Sequence, residues 1–185
     1  LLSGLLFHEY NAHFIYYFKS ALDLRIYCRY IEIMQLSMFS DYALRVLVHL
    51  ANSPETLLST RQIADIHNAK FNHLSKVTTW LVTQGYVESL RGRGGGLHLA
   101  KDPSEINLGQ LLRQLEADKP LVECFNAQTN TCQLIPACGL MFALKDAQEA
   151  FFAALDHVTI ANMMTRSPNM SKLLNALNTG QKPQS

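Results

Sequence analysis

Residues 59–100 read STRQIADIHNAKFNHLSKVTTWLVTQGYVESLRGRGGGLHLA, and their order decides the fold. Ser59 or Thr60 can cap a short helix reaching Ala69, with Ile63, Ala64 and Ile66 turned inward. A turn near Asn68 leads into a second helix over residues 71–84. Its Leu74, Val77 and Leu81 share one side, and Gly85 closes it. Two short helices joined this tightly, the second polar on its outer face, form a helix-turn-helix. Residues 86–90 and 97–100 then alternate as strands around Arg91-Gly92-Arg93-Gly94-Gly95-Gly96, the pattern of a β-hairpin. A hairpin directly after a helix-turn-helix is a wing, and its glycines permit positive φ and close backbone approach to a ligand.

Charge follows this division. Between Arg61 and Lys101 stand six Lys/Arg against two Asp/Glu, and between Asp102 and Asp156 three against eight. The first segment suits a polyanion and the second would be repelled by one. The second helix offers Asn72, His73, Ser75, Lys76 and Thr79 on its outer side, and Thr60 and Arg61 stand at the start of the first. Asn reads adenine edges, and Lys reaches guanine or phosphate. Arg91 and Arg93, with Gly94 between strands, suit a minor groove or neighbouring phosphates. A nucleotide-cradling loop is excluded, because Gly92 to Gly96 lead into a strand and not a helix. Alone, either element reads equally well as a solvated helix or a surface hairpin. Together, in this order and with this charge, they point to double-stranded DNA, with Thr60, Arg61, Asn72, His73, Ser75, Lys76, Arg91, Arg93 and Gly94 as the contact set.

Outward from this centre, residues 39–51 carry Ala43, Leu44, Leu47, Val48 and Ala51 at helical spacing, with Ser40 and Asp41 as capping oxygens. Past Pro103, residues 104–118 predict an amphipathic helix. Residues 119–138 read as a loop holding three cysteines. Leu140, Leu144, Ala147, Phe151, Ala154, Val158 and Ala161 then advance by alternating steps of four and three, a heptad seam. One helix over residues 139–166, on the order of 35 Å of it along the seam, would pair with a second subunit. Residues 167–185 read as a polar tail. The fold class is therefore mainly α with a small β-hairpin: a winged helix-turn-helix domain over residues 34–103, a linker helix and cysteine loop to residue 138, then a long C-terminal dimerisation helix.

The chain has 185 residues, 48% of them hydrophobic and 17% charged, with a net charge of +1, so a core can be buried and wholesale disorder is excluded. No run of eighteen apolar residues reads as a membrane span, and the start lacks the pattern of a secretory signal. The expected compartment is the reducing cytoplasm. The first methionine is Met34, and the aromatic-rich residues 1–33 lack a regular period. Translation is expected to begin at Met34, leaving Cys28 outside the functional protein, with a genuine N-terminal extension, such as an interfacial helix, as the competing reading.

Clustered thiols in a reducing compartment more often mean metal than disulfide. The spacing Cys124-x7-Cys132-x5-Cys138 does not fit the close pairs of a zinc knuckle. It is compatible with buried apolar thiols, with a thiol redox switch, and with an iron–sulfur cluster, whose larger body suits soft ligands spread along a loop. Three sulfurs leave one ligand to be found, and no histidine lies within the loop.

A wing, a three-cysteine loop and a long pairing helix in this order, with Met34-Gln35-Leu36, residues 39–45 (FSDYALR), Asn72-His73-Leu74, Gly85-Tyr86-Val87, Arg91-Gly92-Arg93-Gly94-Gly95 and Pro136-Ala137-Cys138, resemble the Rrf-type iron–sulfur transcription regulators from Met34 to about Leu177. The likeness is greatest to the nitric-oxide-sensitive repressors of that family. It implies a homodimer on inverted-repeat operator DNA, with one two-iron or four-iron cluster per subunit held by Cys124, Cys132 and Cys138. It also implies a fourth ligand, a carboxylate near the start of the first helix of the other subunit, here Asp41. The iron–sulfur-status branch of the family (IscR-like) uses a histidine three residues past the last cysteine, where this chain has Met141. The gap between Cys124 and Cys132 is longer than usual in the family. Together these features imply a repressor that releases DNA when nitric oxide nitrosylates the cluster or the cluster is lost, with a cluster-status regulator or a thiol switch as the alternative. No nucleophile–base pair or phosphate loop points to an enzyme.

Overall fold

The structure is a computed structural model and describes residues 36–179. The expectations for residues 1–33, including Cys28 and the start at Met34, lie outside the described residues, as does the end of the tail.

Helix α1 (Met38–Ala51) buries Ala43, Val46, Leu47 and Leu50, one stripe of its surface. Its cap is Ser37, whose Oγ accepts the Ser40 N–H and whose carbonyl accepts the Asp41 N–H at 2.9 Å. Ser40 and Asp41, expected to cap this helix, instead sit inside its first turn, because the chain already turns helical at Met38. α2 (Thr60–Ile66) starts from a reciprocal cap: Ser59 Oγ accepts the Gln62 N–H, and Gln62 Oε1 accepts the Ser59 N–H at 2.9 Å. The turn to α3 (Phe71–Thr83) passes through Asn68 at φ 49°, a conformation Asn tolerates, and the Ala69 N–H reaches the Ala64 carbonyl at 2.8 Å.

The wing pairs β1 (Val87–Leu90) with β2 (Gly96–Leu99) antiparallel, Val87 opposite Leu99 and Leu90 opposite Gly96. Gly92 and Gly94 take φ of 106° and 81° at its tip. The Leu97 N–H bonds the Leu58 carbonyl at 2.9 Å, seating the wing against the segment before α2. A Cβ at position 96 would stand 2.8 Å from the Leu58 nitrogen, so only glycine fits there.

α4 (Leu108–Leu115) closes the core with Leu108, Leu111, Leu112 and Leu115. It is shorter than the helix expected over residues 104–118, and the single helix expected over residues 139–166 is broken. Both differences have one cause. The Leu108 N–H bonds the Val158 carbonyl at 2.8 Å, and the Ile160 N–H bonds the Ile106 carbonyl at 3.1 Å, a two-strand bridge between distant segments. That bridge requires extended backbone on both sides. α5 (Gly139–Leu155) therefore stops, and α6 (Ile160–Arg166) restarts behind a Thr159 cap. Val158 leaves the seam for the core at 8% exposure. α5 itself buries only Phe152, and leaves Leu140 at 67%, Phe142 at 54% and Phe151 at 36% exposed.

The tail also differs from expectation. Residues 170–178 form α7 (Met170–Asn178), with Leu174 buried, Ser171 Oγ donating to Asn52 Oδ1 at 2.6 Å and Asn178 Nδ2 donating to Ser53 Oγ at 3.2 Å. Polar anchors, invisible to a hydrophobic pattern, hold it against the end of α1. No helix among the described residues is long and apolar enough to cross a membrane.

Candidate nucleic-acid interface and cysteine loop

The core sets the orientation of α3. Leu74, Val77 and Leu81 are buried, which turns Asn72, His73, Lys76 and Thr79 to the exposed side. Arg61 on α2 and Arg91, Arg93 and Gly94 on the wing are exposed as well, while Thr60 and Ser75 are half-buried. The helix pair and the wing thus present most of the predicted contact set to solvent. Sequence reasoning missed Phe71, the first residue of α3. It is 36% exposed, and the Arg61 guanidinium carbon lies 4.2 Å from its ring centroid. The only sequence signal was an aromatic at the exposed start of the second helix.

Behind this surface runs a column of three aromatic rings. Phe39 of α1 meets Trp80 of α3 edge-on at 6.0 Å, and Trp80 stacks on Tyr86 at 6.2 Å. The Tyr86 hydroxyl donates to Gln114 Oε1 of α4 at 3.0 Å. The wing root, the second helix and α4 are thereby locked to one another.

A second lock lies where α4 ends. Glu116 Oε1 accepts the Ser37 N–H at 2.9 Å, the Ser37 hydroxyl at 2.9 Å and the hydroxyl of buried Ser40. Lys119 donates to Ser37 Oγ and lies 3.9 Å from the Glu116 carboxylate. The start of α1 is therefore fastened to the residues that lead directly into the cysteine loop.

A third polar group sits under the helix-turn-helix. Asn178 uses its N–H on Ser53, so its Oδ1 accepts the Nε2–H of fully buried His49 at 2.9 Å. His49 Nδ1 then accepts the Nε2–H of His67, in the turn between α2 and α3, at 3.0 Å. Desolvation lowers the pKa of both rings. His67 is pushed from an ordinary 6.5 to about 4, with His49 and Arg45 lowering it further and Asp41 opposing.

Cys124, Cys132 and Cys138 are free thiols, Cys132 exposed and the other two half-buried. Cys124 opens onto a cleft of about 440 Å³ between α4, the loop and α5, whose walls include Arg113, Lys119, Lys145 and Met141. Among the described residues no three of His, Cys, Asp and Glu converge on a point that would hold a metal ion. The three thiols are thus not gathered within one chain, and Asp41 faces elsewhere, its Oδ2 2.8 Å from Arg45 Nη2 on the surface of α1. The donor chemistry still fits a thiolate-held cluster: three free thiols, soft ligands, on one loop, with Cys124 beside a cleft whose walls carry three cations and the carboxylates of Glu116 and Glu149.

Comparison with known proteins gives a consistent picture. Residues 36–166 match the Rrf2 family, described as iron-dependent transcriptional regulators. The chain is 43% identical over 149 residues to the HTH-type transcriptional regulator NsrR of Shouchella clausii, covering 80% of this chain and all of that protein. It is also 43% identical over 142 residues to NsrR of Bacillus subtilis, covering 76% and 97%. Among solved structures it is similar to T. potens IscR, with a TM-score of 0.58 at 21% identity, covering 82% of this chain and 93% of that one. It is likewise similar to the global cysteine regulator CymR of B. subtilis, with a TM-score of 0.54 at 24% identity, covering 71% and 97%.

Proposed function

This chain belongs to the Rrf2 family of transcriptional regulators, and from that premise we propose that it is a homodimeric repressor that senses nitric oxide through an iron–sulfur cluster held by Cys124, Cys132 and Cys138. As a member it is a DNA-binding regulator of transcription and not an enzyme. The observation that carries the finer reading is a loop of three free thiols in a chain that matches NsrR over the relative's whole length. Each subunit would carry one cluster, with Asp41 of the partner subunit as fourth ligand once the Arg45 pairing is released.

When bound, the cluster supplies iron atoms with which nitric oxide reacts, weakening their hold on the protein. The remaining steps belong to this chain's own residues. A tethered loop keeps Lys119 and Glu116 in place at the α4 end, and these hold Ser37 and Ser40 at the start of α1. A released loop loosens that clamp and with it the angle at which α1 presents the helix pair. Two helix pairs in a dimer must keep the spacing of successive major grooves, roughly 34 Å or a multiple. A loss of ~3 kcal/mol in that fit lowers affinity on the order of a hundredfold. The exposed α5 face at Leu140 and Phe151 supports the dimer.

The test is anaerobic purification of the full chain, followed by iron and sulfide counting, visible absorption, and DNA binding before and after nitric oxide at fixed salt. A brown protein that grips DNA and releases it on nitric oxide is expected. An iron-free protein that binds its operator as tightly as the iron-loaded form would overturn the reading.

A further inference from the structure

Five cations lie over aromatic rings in the described residues, and two of them, Arg61 and Lys101, have no carboxylate partner among those residues. Arg45 over Tyr42 and Arg113 over Phe152 have their guanidinium groups bonded to carboxylates, Asp41 in one case and Asp156 and Glu149 in the other. Lys119 over Phe39 is taken by Ser37 and Glu116, and Lys101, unpaired, lies 4.9 Å from the Tyr86 ring at the wing root, outside the helix pair. Arg61 over Phe71 is the shortest of the five at 4.2 Å, and among the described residues no carboxylate pairs with it.

We propose that Phe71 is a positioning residue for DNA binding, holding the Arg61 guanidinium over its ring so that the free N–H groups meet a backbone phosphate. This rests on the reading that the helix pair docks on DNA with Arg61 in contact. Both ends of the pair are fixed by local structure. Arg61 is the second residue of α2, whose start is set by the Ser59–Gln62 cap, and Phe71 opens α3, reached through the tight turn at Asn68. A guanidinium held over a ring face leaves its N–H donors free at the edge of the stack, and its fork matches the oxygens of a phosphate. A phosphate and not a base edge is the partner, because the first helix of such a pair crosses the DNA backbone while the second enters the groove. An exposed Arg normally samples many rotamers, and the ring removes most of that freedom before DNA arrives.

The test uses full-length protein purified anaerobically and a labelled duplex of about 30 base pairs, long enough for two half-sites, selected by the parent protein from a randomised pool. Affinity is read across a salt series for the parent, Arg61→Ala, Phe71→Tyr, Phe71→Leu and the Arg61→Ala/Phe71→Leu double variant, with melting curves beside them. Arg61→Ala weakens binding and lowers the salt slope by about one. Phe71→Tyr binds like the parent. Phe71→Leu weakens binding roughly three- to fivefold with unchanged melting, and adds nothing in the Arg61→Ala background. Phe71→Met, also without a ring, gives the same loss if Phe71→Leu melts early. Parent-like affinity in both ringless variants, or a loss that persists undiminished without Arg61, overturns the positioning role while leaving DNA binding intact. Parent-like affinity and salt slope in Arg61→Ala would instead overturn the phosphate contact itself, and the proposal with it.

Discussion

His67 illustrates how a single residue ties the recognition module to acid stability. Its ring is half-buried, donates to His49 Nδ1 and faces Arg45, so charging it sets a cation beside a buried imidazole and a guanidinium, opposed only by Asp41. The folded pKa, about 4, lies below the ordinary 6.5, so the unfolded chain takes up the proton first. Stability is therefore full above pH 6.5, falls as pH drops toward 4 and flattens below that, and His49, shifted the same way, adds to the fall. After allowance for solvent screening of a half-buried group, the loss from His67 is on the order of 1–2 kcal/mol. Thermal melts at pH 7 and pH 4.5 check this. His67→Gln keeps a donor toward His49 without the titration and should show a clearly smaller drop. An equal drop in parent and variant would place the acid sensitivity elsewhere.

Between elements, the contact of α4 with α5 is set by Gly109. A Cβ there would stand 2.7 Å from the Phe152 carbonyl oxygen and 2.9 Å from the Asp156 nitrogen, both backbone atoms that cannot swing aside. Arg113 then stitches the same two helices, donating to Asp156 Oδ1 and Glu149 Oε1 at 2.6 Å each. In an ordinary helix interior, Gly→Ala gains up to ~1 kcal/mol. Here Gly109→Ala should lose about 1–3 kcal/mol, because the helices must part to admit the methyl. Denaturant unfolding distinguishes the two signs, and a stabilised variant would show that the close approach is not required. Glycine was legible in the sequence only as a weak spot in an amphipathic pattern. The neighbour it accommodates lies more than forty positions away in Phe152 and Asp156.

For the whole molecule, the exposed apolar side of α5 is a feature that the described residues leave uncovered. Leu140 and Phe151, three turns apart on one side, leave large side chains in water on a helix that buries one residue of its own. A patch of this kind marks an interface. Replacing Leu140 and Phe151 by Asp should convert the proposed dimer to monomer in sedimentation. Operator affinity should fall with it, because two half-sites no longer bind as one unit. A variant that stays dimeric would move the interface away from the seam.

The helix-turn-helix, the wing and the thiol loop were legible from residue order, because local signals write them: apolar spacing, a capping serine, glycines at a tip, cysteines in a row. The candidate DNA surface followed, since once Leu74, Val77 and Leu81 go inward the polar side of α3 must face out. What only the tertiary structure decided were contacts between residues far apart in sequence. The break after Leu155 comes from the bridge that holds Val158 and Ile160 against Ile106 and Leu108, which overrides a heptad pattern that runs through it. α7 is anchored by Asn178 and Ser171 on polar groups of α1 and the residues just after it, and Glu116 clamps Ser37 and Ser40 across more than seventy positions. Such contacts are polar, single and long-range. They leave no periodic trace, and only the folded chain brings their partners within hydrogen-bonding reach.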